Sequence, residues 1–280
     1  MQNCEKILYI DMKRKVKSQK NQENRKLNFK LGLALSGGGT RGLAHIGVLK
    51  AFEEERIGFD CVAGTSFGSL VGAMYCAQVS VDDMIEAARH ITRKDIVNRL
   101  WVGSNAGNIA KAVNRLLEDK TFADLSVPLA AVAVDLTDGQ EVVLKKGNVA
   151  QAVSASCAVP ALFKPVEMDG MLLVDGGLLN NLPADVCRTM GAEVVIGVDL
   201  NHNRGKGTKS TKITNTLIAT WNIALKSTMY KGQMNSDLII EPELSEFNRT
   251  SMKFIDQMVE EGYRATKERM AEIKELLRIK

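Results

Sequence analysis

The chain has 280 residues, 45% hydrophobic and 25% charged, which suits a soluble globular protein with one large core and excludes a low-complexity chain. Its net charge of +4 is unevenly placed: residues 1–30 hold nine Lys/Arg and three Asp/Glu, so the remainder is slightly acidic and makes no case for a nucleic-acid-binding domain. The five cysteines (Cys4, Cys61, Cys76, Cys157, Cys187) are odd in number and scattered, which points to buried thiols in a reducing cytoplasm rather than to disulfides or a metal site.

Met1 to Lys30 is basic and polar, and reads as a disordered tail preceding one domain over residues 31–280. Lys6 and Asp11 interrupt its only apolar patch, so no signal peptide is expected. A net charge of +6 also suits peripheral contact with an anionic membrane. Leu31 to Leu35 is a continuous apolar strand. A glycine-rich loop follows, and Leu43 to Glu55 has helical spacing. Phe59 to Ala63 is the second strand, and Ser69 to Cys76 an apolar helix. This βαβ start predicts an α/β fold: a central, mostly parallel sheet in three layers, with helices on both faces. The uncharged run Cys61 to Val81 is long enough to raise a membrane span. Its glycines and polar residues fit strand, turn and helix better.

Val81 to Trp101 and Asn108 to Leu117 are amphipathic helices, and residues 89–119 could cap a site. Pro128 to Val134 is the third strand, with Gln140 to Lys145 as its hairpin arm. Val149 to Ala155 is a short helix. Asp169-Gly170 turns a hairpin between Pro165–Met168 and Met171–Val174. Helix Pro183 to Met190 and apolar strand Glu193 to Leu200 follow. Ile213 to Tyr230 reads as one helix, Leu238 to Ile240 as a late strand, and Ser251 to Ile279 as one long amphipathic helix.

Three stretches carry chemistry. Gly64-Thr65-Ser66-Phe67-Gly68 places Ser66 on a sharp strand-to-helix turn, where flanking Gly64 and Gly68 remove clashing Cβ atoms and the hydroxyl is lifted out of the chain. Gly37, Gly39 and Gly42 form G-x-G-x-x-G at a strand-to-helix junction. Dinucleotide binding needs an acidic residue ending the next strand, and a Walker loop needs a closing Gly-Lys-Ser/Thr; neither is present. What remains is a helix N-terminus with outward N–H groups, an anion hole suited to the oxyanion of acyl transfer. Asp175-Gly176-Gly177 ends a strand in a tight turn. There Asp175 could take the serine proton directly if burial raises its pKa. The histidines offer a rival base. His45 is expected to face inward and His90 to face solvent, while Ser66…Asp175…His202 has the chain order of an α/β-hydrolase triad.

Taken together, the sequence resembles the patatin-like phospholipase family, in its short bacterial-type members. The likeness runs through most of Leu31 to Leu200. It rests on Gly37-Gly38-Gly39-Thr40-Arg41-Gly42, Gly64-Thr65-Ser66-Phe67-Gly68 and Asp175-Gly176-Gly177, with Ala155 to Phe163 and Asn180-Asn181-Leu182-Pro183 between and after them. One departure is Pro160-Ala161, where many members have Pro-Gly. The resemblance implies a Ser66–Asp175 dyad and an oxyanion hole at Gly37, Gly38 and Gly39 with Arg41 near the loop. It also implies hydrolysis of phospholipid or lysophospholipid acyl esters without a cofactor or metal. Acyl transfer by the same dyad, or a non-catalytic lipid-binding or regulatory role, are the alternative readings. The expected setting is cytoplasmic, at the membrane periphery. A carboxylate base of modestly raised pKa further predicts activity below pH 6.

Overall fold

The computed structural model describes residues 27–93, 107–202, 213–247, 249, 251 and 253–279. The continuous apolar runs form strands β1 (Leu31–Leu35), β2 (Cys61–Thr65), β3 (Leu129–Asp135) and β7 (Val194–Val198). Every residue of the first three is buried. Strands covered on both faces need no polar alternation, which is why the sequence shows none. Strands β4 (Gln140–Leu144), β5 (Val166–Met168), β6 (Met171–Asp175) and β8 (Leu238–Ile240) complete an eight-stranded sheet. Its order is β5-β6-β3-β2-β1-β7-β8, parallel from β3 to β8, with β4 also on β3. The antiparallel pairs β3–β4, β3–β6 and β5–β6 make it mixed at one end.

Alternate residues divide the core into two packed layers. Leu31, Leu33, Leu35, Val62, Ile196 and Val198 meet helices α1 (Ala44–Glu54), α2 (Phe67–Cys76) and α9 (Ile255–Glu268). Ala34, Ala63 and Val195 meet the opposite layer, with Val186 and Cys187 on α6 (Ala184–Thr189). The remaining helices are α3 (Val81–Arg93), α4 (Gly107–Leu117), α5 (Val149–Ser156), α7 (Ile213–Ser227), α8 (Tyr230–Asn235) and α10 (Met270–Leu276). Among the described residues, no helix is long and apolar enough to cross a membrane.

Several boundaries differ from the sequence expectation. Residues 1–26 lie outside the described residues, whereas Leu27 and Phe29 pack on the core and Lys30 O accepts from Glu193 N at 2.8 Å. Part of the basic segment therefore belongs to the fold. The expected helix Val81–Trp101 is described as far as Arg93, and the middle of the expected cap, 94–106, lies outside the described residues. At the cap's far end, Val113 and Leu117 of α4 are core residues. The helix expected over Ile213–Tyr230 breaks at Thr228, whose hydroxyl donates to Gly177 O at 2.8 Å. That expected over Ser251–Ile279 starts at Ile255 and breaks at Arg269, whose Nη1 reaches Ile239 O on β8 at 2.9 Å.

Candidate active site

Register across β3 brings the two candidate catalytic residues together. One edge of β3 is taken by β4 along Ala131–Asp135. On the other edge β2 pairs Thr65 with Val132, and there it stops. Strand β6 takes over that edge from the opposite direction, pairing Asp175 with Ala133. The C-terminal ends of β2 and β6 therefore meet at adjacent positions of one strand, with Ser66 and Asp175 at the junction.

Ser66 has φ 54° and ψ −129°, a conformation that costs a non-glycine residue of order 1–3 kcal/mol and persists only where the surroundings enforce it. The enforcement is visible. Ser66 N donates to Ser156 Oγ at 2.9 Å, and Ser156 Oγ donates to Val132 O at 2.6 Å. Ser69 Oγ donates back to Ser66 O at 2.7 Å. A Cβ on Gly64 would lie 2.5 Å from Ser69 N, and one on Gly68 would lie 2.2 Å from Leu35 O. The elbow is thus pressed between α2 and the end of β1. Ser66 occupies the N-cap position of α2, at the positive end of that helix.

Asp175 is buried, and desolvation pushes its carboxyl from the ordinary 3.8 up to about 7. The Ser66 hydroxyl and the Gly177 N–H, which donates to Oδ1 at 2.9 Å, pull partly the other way. Oδ2 is buried and has no hydrogen-bond partner among the described residues. The Cys157 thiol lies against Ser66 and Ser69 and near Asp175. Although the residue as a whole is partly exposed, its thiol is enclosed, and burial raises its pKa so that it stays protonated.

The glycine-rich loop crosses directly beside Ser66: a Cβ on Gly37 would sit 3.0 Å from Ser66 Cβ. Of the four residues expected to hold an oxyanion, two are otherwise engaged. Gly37 N donates to Asn181 O at 3.1 Å. Arg41 is buried and sends Nε to Phe247 O at 2.9 Å and Nη2 to Ser245 O at 3.3 Å, which anchors the loop from behind. The N–H groups of Gly38 and Gly39 make no hydrogen bond among the described residues. Gly39 has φ +61°, and a Cβ there would lie 2.4 Å from Arg249 O, so this position needs glycine on both counts. Gly42, Gly176 and Gly177 have neighbours as close: their Cβ atoms would meet the Phe67 ring, Val132 O and Leu225 Cδ2 within 2.5 Å.

Two histidines have structural places. His45 is fully buried and donates Nε2–H to Ser36 O at 2.8 Å; the carbonyl can only accept, so the proton is on Nε2. Burial lowers its pKa to about 4 and keeps it neutral. His202 pairs with Glu241 at 2.8 Å on a half-exposed side chain. The side chain of His90, on α3, lies outside those described. At the family departure, Ala161 takes φ +69°, so the left-handed turn that glycine would make easily is kept and alanine bears the strain. Sequence reasoning missed Ser156 as the brace of the elbow and Asn181 as the partner of the glycine loop, although both lie in the stretches that carried the resemblance. It also missed Asn201, which donates Nδ2 to Gly37 O at 2.7 Å, and Arg249; neither sits in a motif.

Fold and site together define a three-layer α/β protein with a strained serine beside a buried aspartate where the ends of β2 and β6 meet. A family model described as patatin-like phospholipase matches residues 33–188, more than half of the chain, and the chain belongs to that family. It is 39% identical over 184 residues to patatin-like phospholipase domain-containing protein 6 of Mus musculus, covering 61% of this chain and 13% of that one. An uncharacterized NTE family protein of Mycobacterium tuberculosis is 30% identical over 267 residues, covering 85% of this chain and 46% of the relative. The chain thus spans less than half the length of these curated relatives. Among solved structures, VipD from Legionella pneumophila aligns with TM-score 0.52 at 14% identity over 91% of this chain and 72% of that one, a likeness of fold alone.

Proposed function

We propose that the protein hydrolyses lipid carboxylic esters, the acyl ester of a phospholipid or lysophospholipid, through a Ser66–Asp175 dyad. The observation that carries the reading is the pairing of a strained, strand-end serine with a buried aspartate whose pKa is lifted to about 7, beside two glycine N–H groups that have no partner among the described residues. The lipid class follows from the family's description as patatin-like phospholipase.

Asp175 accepts the Ser66 hydroxyl proton as Oγ attacks the ester carbonyl. The carbonyl oxygen takes up negative charge, stabilised by the Gly38 and Gly39 N–H groups and the positive end of α2. As the tetrahedral adduct collapses, protonated Asp175 gives its proton to the leaving alkoxide, leaving an acyl-Ser66 ester. Asp175, again a carboxylate, takes a proton from water, whose oxygen attacks the acyl carbon. Collapse expels Ser66 Oγ, which recovers the proton, and the fatty acid leaves. A carboxyl of ordinary pKa would be a weak base for an alcohol; burial makes Asp175 a stronger one. Its pKa of about 7 also revises the pH expectation. The base is mostly protonated below pH 6, so activity rises through neutrality instead of persisting in acid. We place the reaction in the cytoplasm, at a membrane surface.

The test is a lipid-panel hydrolysis assay read by mass spectrometry, paired with fluorophosphonate labelling. Wild type is expected to release fatty acid and to be labelled at Ser66. Ser66→Ala should lose labelling and lower turnover by several orders of magnitude while keeping its fold. Near-normal turnover in folded Ser66→Ala would sink the mechanism. An unlabelled, inactive wild type would leave a lipid-binding protein.

A further inference from the structure

The Gly38 N–H, the proposed oxyanion donor, makes no hydrogen bond among the described residues, so its aim rests on how its peptide plane is held. The Gly37 carbonyl and the Gly38 N–H belong to one trans peptide plane, in which they point in opposite directions. Holding the carbonyl therefore aims the N–H. Asn201 Nδ2 donates to Gly37 O at 2.7 Å, and Asn181 Nδ2 donates to it more weakly at 3.3 Å. Asn201 is the shorter contact, it is buried, and its own orientation is enforced from two sides. Its backbone N–H donates to Asp199 Oδ1 at 2.6 Å. Its Oδ1 accepts from Arg249 Nη2 at 2.7 Å. A guanidinium only donates, so Arg249 fixes which end of the Asn201 amide is oxygen and turns the NH2 toward Gly37 O. Arg249 is itself tied to α7 through Asn222 Oδ1 at 2.9 Å, and its carbonyl receives Thr40 N at 2.8 Å.

From this we infer that Asn201 and Arg249 are positioning residues for catalysis: a relay from Arg249 through the Asn201 amide to the Gly37 carbonyl holds the Gly38 N–H aimed at the developing oxyanion. The inference rests on the hydrolase reading above. Neither residue touches the reacting atoms. The relay also gives the chain beyond Leu200 a part in the chemistry, since residues from three separate segments converge on one peptide plane. A loop free to rock about its glycines would have to be reordered at each transition state; a loop held by its carbonyl is already ordered.

The test uses the full-length protein, with p-nitrophenyl butyrate as the soluble ester and fluorophosphonate titration to count active sites. Removing one oxyanion donor outright costs about 10²–10³ in kcat, so misaiming one in Asn201→Ala should lower kcat per titrated site by about 10–100-fold, with KM nearly unchanged. The limb of the pH profile set by Asp175 should stay in place. Arg249→Ala should show a smaller loss of the same kind, and none further in the Asn201→Ala background, because it acts through that amide. A purely structural role would instead lower the melting temperature and the number of titratable sites, leaving kcat per site intact. Asn201→Asp is the second variant: it keeps the volume and the Arg249 contact but cannot donate to Gly37 O, and should lose at least as much. Wild-type kcat per site in either folded Asn201 variant overturns the relay, as do losses at Asn201 and Arg249 that multiply. A wild type inert to both ester and fluorophosphonate overturns the hydrolase reading and this inference with it.

Discussion

Asp175 trades stability for proton affinity. Its pKa is about 7 folded against 3.8 in the open chain, so between those values the folded state binds more protons and stability falls as pH rises. Three pH units correspond to a cost of up to about 4 kcal/mol above neutrality. His45 has the opposite sign. With a folded pKa of about 4 against 6.5, its contribution is complete above 6.5 and is lost as pH falls toward 4. Near pH 5 both cost stability, and it is their opposite dependences on pH that partly cancel. Asp175→Asn should therefore raise the melting temperature at pH 8, show little gain near pH 4, and lower kcat by about 10²-fold or more, because an amide cannot accept the Ser66 proton. A melting temperature at pH 8 no higher than wild type would mean the carboxyl is not strained by burial. Because Asp175 titrates near neutrality, a pH profile alone does not separate it from an imidazole base, and mutation must. His202→Ala should change kcat by less than about tenfold, since His202 pairs with Glu241 instead. A folded but dead His202→Ala would restore the triad.

Among the elements, α1 starts from the glycine loop and must be held for that loop to keep its shape. It crosses α9 at two reciprocal glycines. A Cβ on Gly47 would lie 1.8 Å from Val259 O, and one on Gly262 would lie 1.9 Å from Ala44 O. Backbone meets backbone there, so no side-chain rotation can relieve the contact. Gly47→Ala gains helix propensity but forces the helices apart, and we expect a net loss of about 1–3 kcal/mol in urea unfolding. A stabilised Gly47→Ala would show that the crossing is slack. The break between α7 and α8 follows the same logic. Thr228, between them, is claimed by the turn after Asp175, through its hydroxyl to Gly177 O and its carbonyl from Asn181 N at 3.4 Å. Only Thr228 and Met229 leave the helix there, and Thr228 gains contact with the site.

At the scale of the whole molecule, charge is segregated: residues 31–280 are slightly acidic and residues 1–30 carry a net +6. A basic segment is attracted to anionic lipid at up to about 1 kcal/mol per residue, and salt screens it. Deleting residues 1–26, which spares Leu27 and Phe29 on the core, should weaken sedimentation with phosphatidylserine vesicles, most at low salt. It should leave p-nitrophenyl butyrate hydrolysis within about twofold, because those residues take no part in the proposed chemistry. Equal vesicle binding with and without the segment would deny it a membrane role.

Local chemistry was enough to read much of this protein from sequence. Unbroken apolar runs announce strands buried on both faces, the glycines around Ser66 announce an elbow, and Asp169-Gly170 announces a hairpin; each depends on residues a few positions apart. Even the alanine at position 161 is legible as a departure, though not that it keeps the glycine-like backbone. What decides the chemistry is not local. Ser66 and Asp175 come together because β6 takes the edge of β3 that β2 vacates, a matter of sheet register. The aspartate's pKa is set by desolvation, which exists only once the layers close over it. Gly37 is held through its N–H by Asn181 and through its carbonyl by Asn201, the second of them 164 residues from the carbonyl it holds. Periodicity and turn propensity act along the chain. Edge sharing, burial and the aim of a peptide plane act across it, and they belong to the tertiary structure.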